Sequence, residues 1–382
     1  MKKIVLICDS FKGCLTSIEV EQALAKGILA VYPDCQLDCI PIADGGEGML
    51  EVMMNLSEGI LVPMEVHDAL MRPIQANFGL LDNGQTAVIE MAQASGLPLL
   101  QEKERNPLIT TSYGTGELIK EALIKGCKKI LIGIGGSATN DGGMGMLQAL
   151  GVRFYDASGH LLSYGCGKLL GEVASIDTHE LDALIKDVAV TVACDVDNPL
   201  CGPKGATAVF APQKGASSEA IDFMERGMKK YAHQVKLTTD MDITNLPGAG
   251  AAGGLGGALA AFFHGQLLPG IELILETVRF CERIREADLI ITGEGKADAQ
   301  TLHGKVPSGV LHVAQKVGKP VVLIAGGIDN AEILNHAGFT AVLSITPGII
   351  SIQEAMKPEV AKTNLSRTAT QIARLIALYE KK

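Results

Sequence analysis

The chain has 382 residues, 47% of them hydrophobic and 20% charged, and its formal net charge at pH 7 is −10. This size predicts about two to three soluble domains, and the acidic charge argues against nucleic acid or an anionic membrane as a partner. Nine cysteines without a C-x-x-C pair are typical of reduced thiols and not of a disulfide or zinc framework. A small anionic substrate is compatible with this charge, because it needs only a local positive pocket.

The amino terminus is predicted to start a buried strand. Its two lysines precede an apolar run, Ile4–Cys8, that is too short for the core of a signal peptide. The uncharged stretch Ile243–Ile271 is long enough to cross a membrane, but its glycine density favours a loop followed by a closely packed helix. We therefore expect a cytoplasmic protein without a membrane partner.

Both ends of the chain alternate between predicted strands and helices. The first end comprises strand Ile4–Cys8, helix Ser17–Tyr32, strand Gln36–Ile40 and helix Met49–Asn55, and the second comprises strands Leu289–Thr292, Val321–Ala325 and Thr340–Ile345 with helices Val306–Val317, Asn330–Ala337 and Pro358–Tyr379. Neither end holds enough strands for an α/β layer of its own. We therefore predict one discontinuous, Rossmann-like α/β domain with a parallel sheet, formed by residues 1–62 and 285–382.

Residues 63–284 are predicted to form an inserted mixed α/β domain, with the hinge connections near 60–65 and 280–287. The predicted strands of this region are Ile60–Val66, Gln75–Leu81, Thr86–Met91, Lys129–Ile134, Val152–Tyr155, Val188–Ala193 and Ala206–Phe210, and the helices are Glu117–Lys125, Met144–Leu150 and Ser218–Lys236. The first three strands are expected to be antiparallel, with a turn at 82–84.

Polar loops follow the first two predicted strands, at the ends where open α/β sheets bind ligands. The first loop contains Lys12, which we expect to contact a phosphate or a carboxylate, although a loop lysine is often only solvated. Its Asp9 and Ser10 are candidates for binding the substrate or its phosphate. The second contains Asp44 and Glu47, which could bind a metal ion or a hydroxyl group, or only cap the next helix.

The glycine-rich stretch, Gly133–Gly151, follows an apolar run and leads into a helix-like run. Such an arrangement can direct free backbone N–H groups and the positive end of a helix at one anion. The alternative is a tight turn that needs positive φ angles. The candidate ligand contacts are Gly135, Gly136, Ser137, Asn140 and Asp141.

A second glycine-rich loop, Gly248–Gly257, precedes the apolar run Ala258–Phe263. Its Gly253 and Gly254 could hold a second anion, or could let two backbones pack closely. A further loop cation, Lys214, follows the predicted strand 206–210.

Charged residues are crowded among glycines after the predicted strand Leu289–Thr292. In the functional interpretation, the lysines contact phosphate oxygens and the carboxylates hold Mg²⁺ or a substrate hydroxyl. The alternative is a solvated loop, and the histidine could only orient a neighbour. The candidates are Gly293, Glu294, Gly295, Lys296, Asp298, His303 and Lys305.

Two carboxylates, Asp195 and Asp197, come directly after the predicted strand Val188–Ala193. Both could simply form Asx turns before a proline. Because Asp195 directly ends an apolar run, we favour a role for it as a general base or a metal ligand.

The sequence contains no Walker A motif, no HRD or DFG kinase motif, and no G-x-G-x-x-G after the first strand. The missing dinucleotide motif weakens the case for a nicotinamide-dependent oxidoreductase. The spacing of the charged groups therefore predicts a site for several anions with carboxylates, without naming the substrate.

Seven motifs in series resemble those of the bacterial type I glycerate kinase family. They are DSFKG at 9–13, DGGEG at 44–48, GIGGSATNDGGMGMLQALG at 133–151, CDVDNPLCG at 194–202, FAPQKGA at 210–216, GAGAAGGLG at 248–256 and GEGKADAQTLHGK at 293–305. The resemblance runs over nearly the whole chain. It implies a two-domain α/β kinase with an inserted domain and a cleft, transferring the γ-phosphoryl group of ATP to glycerate with Mg²⁺.

Roles for individual residues follow from phosphoryl-transfer chemistry placed on the matching motifs. We expect Asp195 to orient or deprotonate the glycerate hydroxyl, and Lys12 and Lys296 to neutralise the transferring phosphoryl group. Mg²⁺ would be held by Asp298 and Glu294, with Asp44 as a further candidate. The turn at 135–141 would bind either the glycerate carboxylate or the ATP phosphates.

Several alternatives stay open on the sequence alone. The rival functions are a nicotinamide-linked hydroxy-acid oxidoreductase and a non-catalytic sensor of phosphorylated metabolites. The phosphorylated hydroxyl of D-glycerate could be the 2- or the 3-hydroxyl, and the resemblance favours the 2-hydroxyl, since many bacterial members of the family form 2-phosphoglycerate. The oligomeric state is open, a homodimer included.

Overall fold

The computed structural model describes residues 1–42, 48–57 and 59–380, so the predicted roles of Asp44 and Glu47 lie outside the described residues. The strands are β1 (Lys3–Cys8), β2 (Gln36–Cys39), β3 (Ile60–His67), β4 (Pro73–Leu81), β5 (Thr86–Glu90), β6 (Lys129–Gly133), β7 (Arg153–Tyr155), β8 (Ser175–Asp177), β9 (Ala189–Ala193), β10 (Gln266–Leu268), β11 (Leu289–Ala297), β12 (Val321–Ile328) and β13 (Ala341–Ser344).

Helices occur throughout the described part of the chain. They are α1 (Ser17–Leu29), α2 (Met49–Leu56), α3 (Ala92–Ser95), α4 (Tyr113–Ile124), α5 (Met144–Ala149), α6 (His179–Ile185), α7 (Ala206–Phe210), α8 (Ser218–Thr239), α9 (Leu255–Phe263), α10 (Gly270–Thr277), α11 (Phe280–Arg283), α12 (Val306–Lys316), α13 (Ala331–Ala337), α14 (Ile352–Ala355) and α15 (Pro358–Glu380). In the part of the chain that is described, no helix combines the length and the apolar character that crossing a membrane requires.

The chain divides into two compact units. The terminal unit comprises Met1–Asp44 and Ile271–Lys382, and the inserted unit comprises Gly45–Gly270. These limits lie before the expected boundaries at 62/63 and 284/285. The stretch that begins at α2 belongs to the inserted unit because Leu50 donates its backbone N–H to Glu90 at the end of β5 (3.0 Å).

The terminal unit is a five-stranded parallel sheet in the order β13-β12-β11-β1-β2. The apolar runs of its strands stabilise this sheet by burial, since Ile4, Leu6, Ile291 and Ile324 are fully buried. Helix α1 begins with a capping box formed by Thr16 and its third residue. The strand order reverses between β1 and β11, which is the topological switch point where such sheets bind ligands.

The inserted unit is built on a six-stranded mixed sheet in the order β10-β9-β6-β5-β4-β3, with a separate pair β7-β8. The strands β10, β9, β6 and β5 are parallel, and β4 is antiparallel to both of its neighbours. The antiparallel arrangement predicted for β3, β4 and β5 is therefore confirmed. Together, the two sheets confirm the predicted fold class, a discontinuous parallel-sheet α/β unit with an inserted mixed α/β unit.

Two local predictions are wrong. Residues 206–210 form helix α7 and not a strand, because Gly205 caps a turn that continues into a 3₁₀ helix at Pro212–Lys214. The residues Gly293–Ala297 continue strand β11 and do not form a loop. Glycine is needed inside this strand, since a Cβ at Gly293 would lie 2.6 Å from the carbonyl oxygen of Ile324 on β12.

Candidate active site

In the terminal unit, the predicted groups Asp9 and Ser10 lie at the switch point. The registers of β1 and β11 pair Cys8 with Gly293, and the backbone N–H of Asp9 donates to the carbonyl of Gly293 (2.9 Å). The carboxylate of Asp9 is 7% exposed and accepts from the N–H of Ser10 (2.6 Å). The first predicted loop therefore starts from a fixed carboxylate at the edge of the sheet.

Lys12 is held at the tip of a tight turn on the same edge. The N–H of Phe11 donates to the carbonyl of Leu15 (2.9 Å), and Phe11 is buried while Lys12 is exposed. A Cβ at Gly295 would lie 3.6 Å from the backbone nitrogen of Lys12. Strand β11 and the Lys12 turn are thus neighbours.

Glu294 is buried in this edge with Lys305. Its Oε2 accepts from the Nζ of Lys305 at 3.0 Å, and its side chain is 7% exposed. Its Oε1 is buried and has no hydrogen-bond partner among the described residues. A buried carboxylate oxygen without a donor is costly, so it marks a place for a further ligand.

Lys296 is exposed and pairs with two carboxylates. Its Nζ lies 2.8 Å from Oδ2 of Asp329 and 3.9 Å from Oδ2 of Asp298. The hydrogen bond to Asp329, and then the charges of Asp329 and Asp298, raise the pKa of Lys296. Asp329 follows β12, and sequence reasoning missed it because only the parallel register of β11 and β12 brings it beside Lys296.

Asp298 and His303 bound a short 3₁₀ helix after β11. Asp298 caps this helix by accepting from the N–H of Gln300 (2.8 Å). His303 ends it and is exposed, and its ring has no hydrogen bond among the described residues. The structure therefore places Asp298 beside Lys296 but does not bring His303 into this cluster.

The donor set suits Mg²⁺. This ion is usually held by one or two carboxylates together with substrate phosphates. In the described chain, no group of three or more His, Cys, Asp or Glu side chains could hold a metal by itself. One or two carboxylates are present for a Mg²⁺ ion shared with substrate phosphates. They are Glu294, with its unpartnered Oε1, and Asp298, whose Oδ2 faces Lys296.

In the inserted unit, the glycine-rich stretch leaves β6 at the carboxyl edge of the parallel strands. Gly136 has φ +70°, and the turn is fixed by hydrogen bonds from Leu97 N–H to the Gly136 carbonyl (2.8 Å) and from Ala138 N–H to the Ser95 carbonyl (2.9 Å). Gly135 and Gly136 are partly exposed. Within the described chain, their N–H groups have no backbone acceptor.

Asn140 and Asp141 lie deeper and are fully buried. Asp141 accepts from the N–H and Oγ of Ser112 (both 2.7 Å) and from the N–H groups of Gly143 (3.1 Å) and Gly145 (3.2 Å). Burial raises the pKa of Asp141, against these hydrogen bonds. The N–H groups at the start of α5, which were expected to bind an anionic ligand, therefore donate to the carboxylate of Asp141 instead.

The second glycine-rich loop packs backbone against backbone on the first. Gly253 has φ +65°, and its carbonyl accepts from Gly142 N–H (2.9 Å). A Cβ at Gly253 would lie 2.1 Å from the Thr139 carbonyl oxygen, and one at Gly254 would lie 2.8 Å from the Cα of Gly142. Of the two alternatives for this loop, the contacts favour close packing.

Lys214 lies beneath the turn and is 2% exposed. Its Nζ donates to Oγ of Ser137 and to the carbonyl of Thr139, both at 2.7 Å. Asn140 is held from the same side, since its Nδ2 donates to Oγ1 of Thr207 on α7 (3.1 Å). Helix α7 and the 3₁₀ helix after it therefore support the glycine-rich stretch.

Asp195 lies at the same edge of this sheet, after β9, which neighbours β6. It is exposed, and its Oδ1 accepts from the N–H of Gly270 (2.8 Å). Asp197 is exposed as well. The carboxylate of Asp195 is therefore oriented by the backbone while it remains accessible.

A family's sequence profile, described as the Glycerate kinase family, matches residues 4–377. The chain belongs to the glycerate kinase family. It is 45% identical to a glycerate kinase of Bacillus subtilis (strain 168) over 378 residues and to a glycerate 2-kinase of Escherichia coli (strain K12) over 377 residues, with 98% of each chain covered in both cases. A crystal structure from Salmonella typhimurium LT2, of a protein proposed to be glycerate kinase 2, is 43% identical, covers 100% of both chains and has a TM-score of 0.86.

Within this family frame, the sequence-predicted groups fall into two sets, each at the carboxyl edge of one sheet. The terminal unit holds Asp9, Ser10, Lys12, Gly293, Glu294, Gly295, Lys296, Asp298 and Lys305, and the inserted unit holds Gly135, Gly136, Ser137 and Asp195. Five further candidates of the inserted unit are buried and contact protein groups: Asn140, Asp141, Lys214, Gly253 and Gly254.

Proposed function

We propose that the chain is an ATP-dependent glycerate kinase that phosphorylates D-glycerate on its 2-hydroxyl. The observation that carries this proposal is the family match over residues 4–377, together with relatives 45% identical over 98% of their length. One of these relatives is named a glycerate 2-kinase, which supports the choice of hydroxyl. The product is 2-phosphoglycerate, with ADP.

In this reaction the hydroxyl oxygen of glycerate attacks the γ-phosphorus of ATP in line. The bond between that phosphorus and the β–γ bridging oxygen breaks, ADP leaves, and the hydroxyl proton passes to a base. Such transfers depend on positioning and charge stabilisation more than on covalent chemistry. The groups on both sheet edges suit those two tasks.

We assign the base role to Asp195. It is an exposed carboxylate at the end of a strand, and the Gly270 N–H fixes one of its oxygens at 2.8 Å. A carboxylate held in this way can orient the hydroxyl and accept its proton as the bond to phosphorus forms.

We assign the neutralisation of phosphoryl charge to Lys12 and Lys296. Both are exposed on the terminal unit, and Lys296 keeps a full positive charge beside Asp329 and Asp298. A lysine of this kind can exchange an exposed carboxylate partner for phosphate oxygens. The same edge of the terminal sheet also contains Asp9, Ser10, Gly293, Gly295 and Lys305, to which we assign substrate binding. We assign no role to His303, which is not part of the Lys296 cluster.

We assign Mg²⁺ to Glu294 and Asp298, with Asp44 as a further candidate. When bound, the ion would neutralise charge on the ATP phosphates. The unpartnered Oε1 of Glu294 supports this assignment.

We assign the Gly135–Ser137 turn to an anionic group of one substrate. Its partly exposed glycines carry N–H groups that, among the described residues, have no backbone acceptor. The stretch that follows this turn is held from within the unit by Asn140, Asp141, Gly253 and Gly254.

A coupled assay of ADP release tests the whole proposal. D-glycerate, L-glycerate and no acceptor are compared, and phosphorus NMR of the product identifies the phosphorylated carbon. We expect release with D-glycerate and a 2-phospho product. ADP release that is independent of glycerate, or NADH turnover with a hydroxy acid, would contradict the assignment.

A homodimer and a cytoplasmic location also belong to this proposal. Light scattering on the purified protein, with and without ATP, measures the first, and fractionation of cells measures the second. A monomeric mass at micromolar concentration would remove the homodimer from the proposal without affecting the reaction.

A further inference from the structure

An ammonium group is buried behind the Gly135–Ser137 turn. Lys214 is 2% exposed, and its Nζ lies 2.7 Å from both Ser137 Oγ and the Thr139 carbonyl oxygen. Burying a charge is costly, and proteins normally offset the cost with an opposite charge in direct contact. Among the described residues, no carboxylate oxygen lies within 4.0 Å of Nζ, the limit for an ion pair.

The nearby carboxylate, Asp141, is already engaged elsewhere. Its oxygens accept four hydrogen bonds, from Ser112, Gly143 and Gly145. The positive charge of Lys214 is therefore balanced only at a distance, and it lies directly behind the partly exposed glycines.

The direction of the Lys214–Ser137 hydrogen bond follows from chemistry. An ammonium group has donors and no acceptor, so Ser137 Oγ must accept from it. The hydroxyl hydrogen of Ser137 is then free to donate to another group. With the N–H groups of Gly135 and Gly136, the turn then offers three donors, and several converging donors are what an anion requires.

We propose that Lys214 is a positioning residue that charges the Gly135–Ser137 turn from behind and makes Ser137 a hydrogen-bond donor to an anionic oxygen group, carboxylate or phosphoryl. The inference rests on the proposed function, since it names what that turn binds. Lys214 itself does not touch the substrate. Its two bonds fix the turn, and its charge favours an anion at the turn's open side.

The protonation of Lys214 gives this arrangement a pH dependence. Burial lowers the pKa of Lys214 to about 7, and Asp141 opposes the shift. Asp141 faces the ammonium from the glycine-rich stretch, and the carbonyl of Arg105 packs on the adjacent Gly215. As the pH rises through about 7, the amine loses its proton, Ser137 can donate to Nζ, and the turn loses both its charge and one donor.

The test compares K214M and S137A with the wild type and with K204M, a control that removes an exposed lysine of the same unit. KM for D-glycerate, KM for ATP and kcat are measured from pH 6 to 8.5. Because hydrogen bonds to charged groups are involved, we expect KM for one of the two substrates to rise about tenfold or more in K214M and S137A. The same KM should rise above pH 7 in the wild type and stay flat in K214M.

The substrate whose KM changes identifies the anion: D-glycerate for a carboxylate, ATP for a phosphoryl group. Unchanged KM values for both substrates in S137A would overturn the proposal, and this variant decides the matter if K214M does not fold. Direct titration of the wild type and S137A with D-glycerate and with ATP separates the two proposals. If S137A binds one compound more weakly than the wild type but the wild type shows no turnover, the anion site stands and the kinase assignment is wrong. If the wild type binds neither compound, both proposals are wrong.

Discussion

The backbone N–H of Gly270 donates to Oδ1 of Asp195 across 2.8 Å. Gly270 is the last residue of the inserted unit and the first of α10, and Asp195 lies two residues after Ala193, the buried end of β9. One carboxylate oxygen is thereby fixed, and the carboxylate as a whole stays exposed. A substitution that keeps the hydrogen bond from Gly270 but removes the negative charge can therefore test the charge of Asp195 without changing its orientation.

Asp195→Asn should keep the bond to Gly270, because an amide oxygen also accepts, while it removes the negative charge. If the carboxylate takes the hydroxyl proton, kcat should fall by ~10²–10³, as for other single charge-stabilising groups. The melting temperature should change little. Asp197→Asn, at the neighbouring exposed carboxylate, is the matched control, and near-normal kcat in Asp195→Asn would remove the base assignment.

Lys296→Met should lower kcat by about 10² without destabilising the protein. The side chain is 62% exposed, and exposed ion pairs contribute little to stability, about 0–1 kcal/mol. Lys357→Met is the control, since Lys357 is a lysine of the same unit that is 61% exposed and likewise pairs with a carboxylate, that of Glu354. Steady-state kinetics and thermal unfolding measure both effects, and equal kcat values in the two variants would contradict the phosphoryl role.

The sequence was sufficient to predict most strands of the two large sheets, because buried strands form apolar runs, but the short strands β8 and β10 were not predicted. It could not predict which polar groups face outward. Asp141 and Ser137 are separated by only a few residues, yet Asp141 is fully buried among four donors, while Ser137 is 8% exposed and adjoins the partly exposed glycines. That difference depends on Ser112 and Lys214, which are distant in the chain.

Strand β11 illustrates the same limit from another side. Glycines and charges after Leu289–Thr292 are typical of a loop, and yet the strand continues to Ala297. Gly293 is required by the neighbouring backbone of β12, and the residue that follows β12, Asp329, pairs with Lys296. Such pairings depend on strand register, which composition and periodicity do not reveal.

Glu294→Gln should raise the Mg²⁺ concentration needed for half-maximal activity by about tenfold or more, because a hard cation prefers a charged oxygen. The glutamine keeps the shape of the side chain beside Lys305. Titration of activity with Mg²⁺ at saturating ATP is the measurement. Glu332→Gln, at an exposed glutamate of the same unit, should leave the titration unchanged. A lower kcat with an unshifted Mg²⁺ titration would mean that Glu294 does not bind Mg²⁺ and acts only by holding Lys305.

Gly253→Ala should destabilise the inserted unit by more than about 2 kcal/mol. The left-handed backbone alone costs a non-glycine residue roughly 1–2 kcal/mol, and the new Cβ would also lie 2.1 Å from the Thr139 carbonyl oxygen. Gly159→Ala separates the two causes, because Gly159 has φ +80° with no atom within 4 Å of its Cβ position. Urea unfolding should show the larger loss for Gly253→Ala, and equal losses would mean that the two loops move apart easily.

Stability of the terminal unit should fall as the pH rises from about 4.5 to 8. Burial raises the pKa of Glu21 from 4.5 to about 8 in the folded chain, so the folded state binds a proton that the unfolded state has released across this range. The contribution is therefore fully present below the unfolded pKa and is lost as the pH passes the folded pKa. Asp38 adds to the shift, whereas Arg283 and the N–H groups of Cys8 and Ile40 oppose it.

Glu21→Gln provides the test, since glutamine imitates the protonated carboxyl group without titrating. Near pH 5 the variant should unfold at about the same temperature as the wild type, and near pH 8 it should unfold at a higher temperature, by several degrees if the linkage amounts to about 1–2 kcal/mol. Glu19→Gln is the comparison on the same helix, where hydrogen bonds within the capping box lower the pKa of Glu19 to about 2. The Glu19→Gln variant should instead lose stability at both pH values. If the unfolding temperatures of Glu21→Gln and the wild type change in parallel with pH, Glu21 is already ionised in the folded chain.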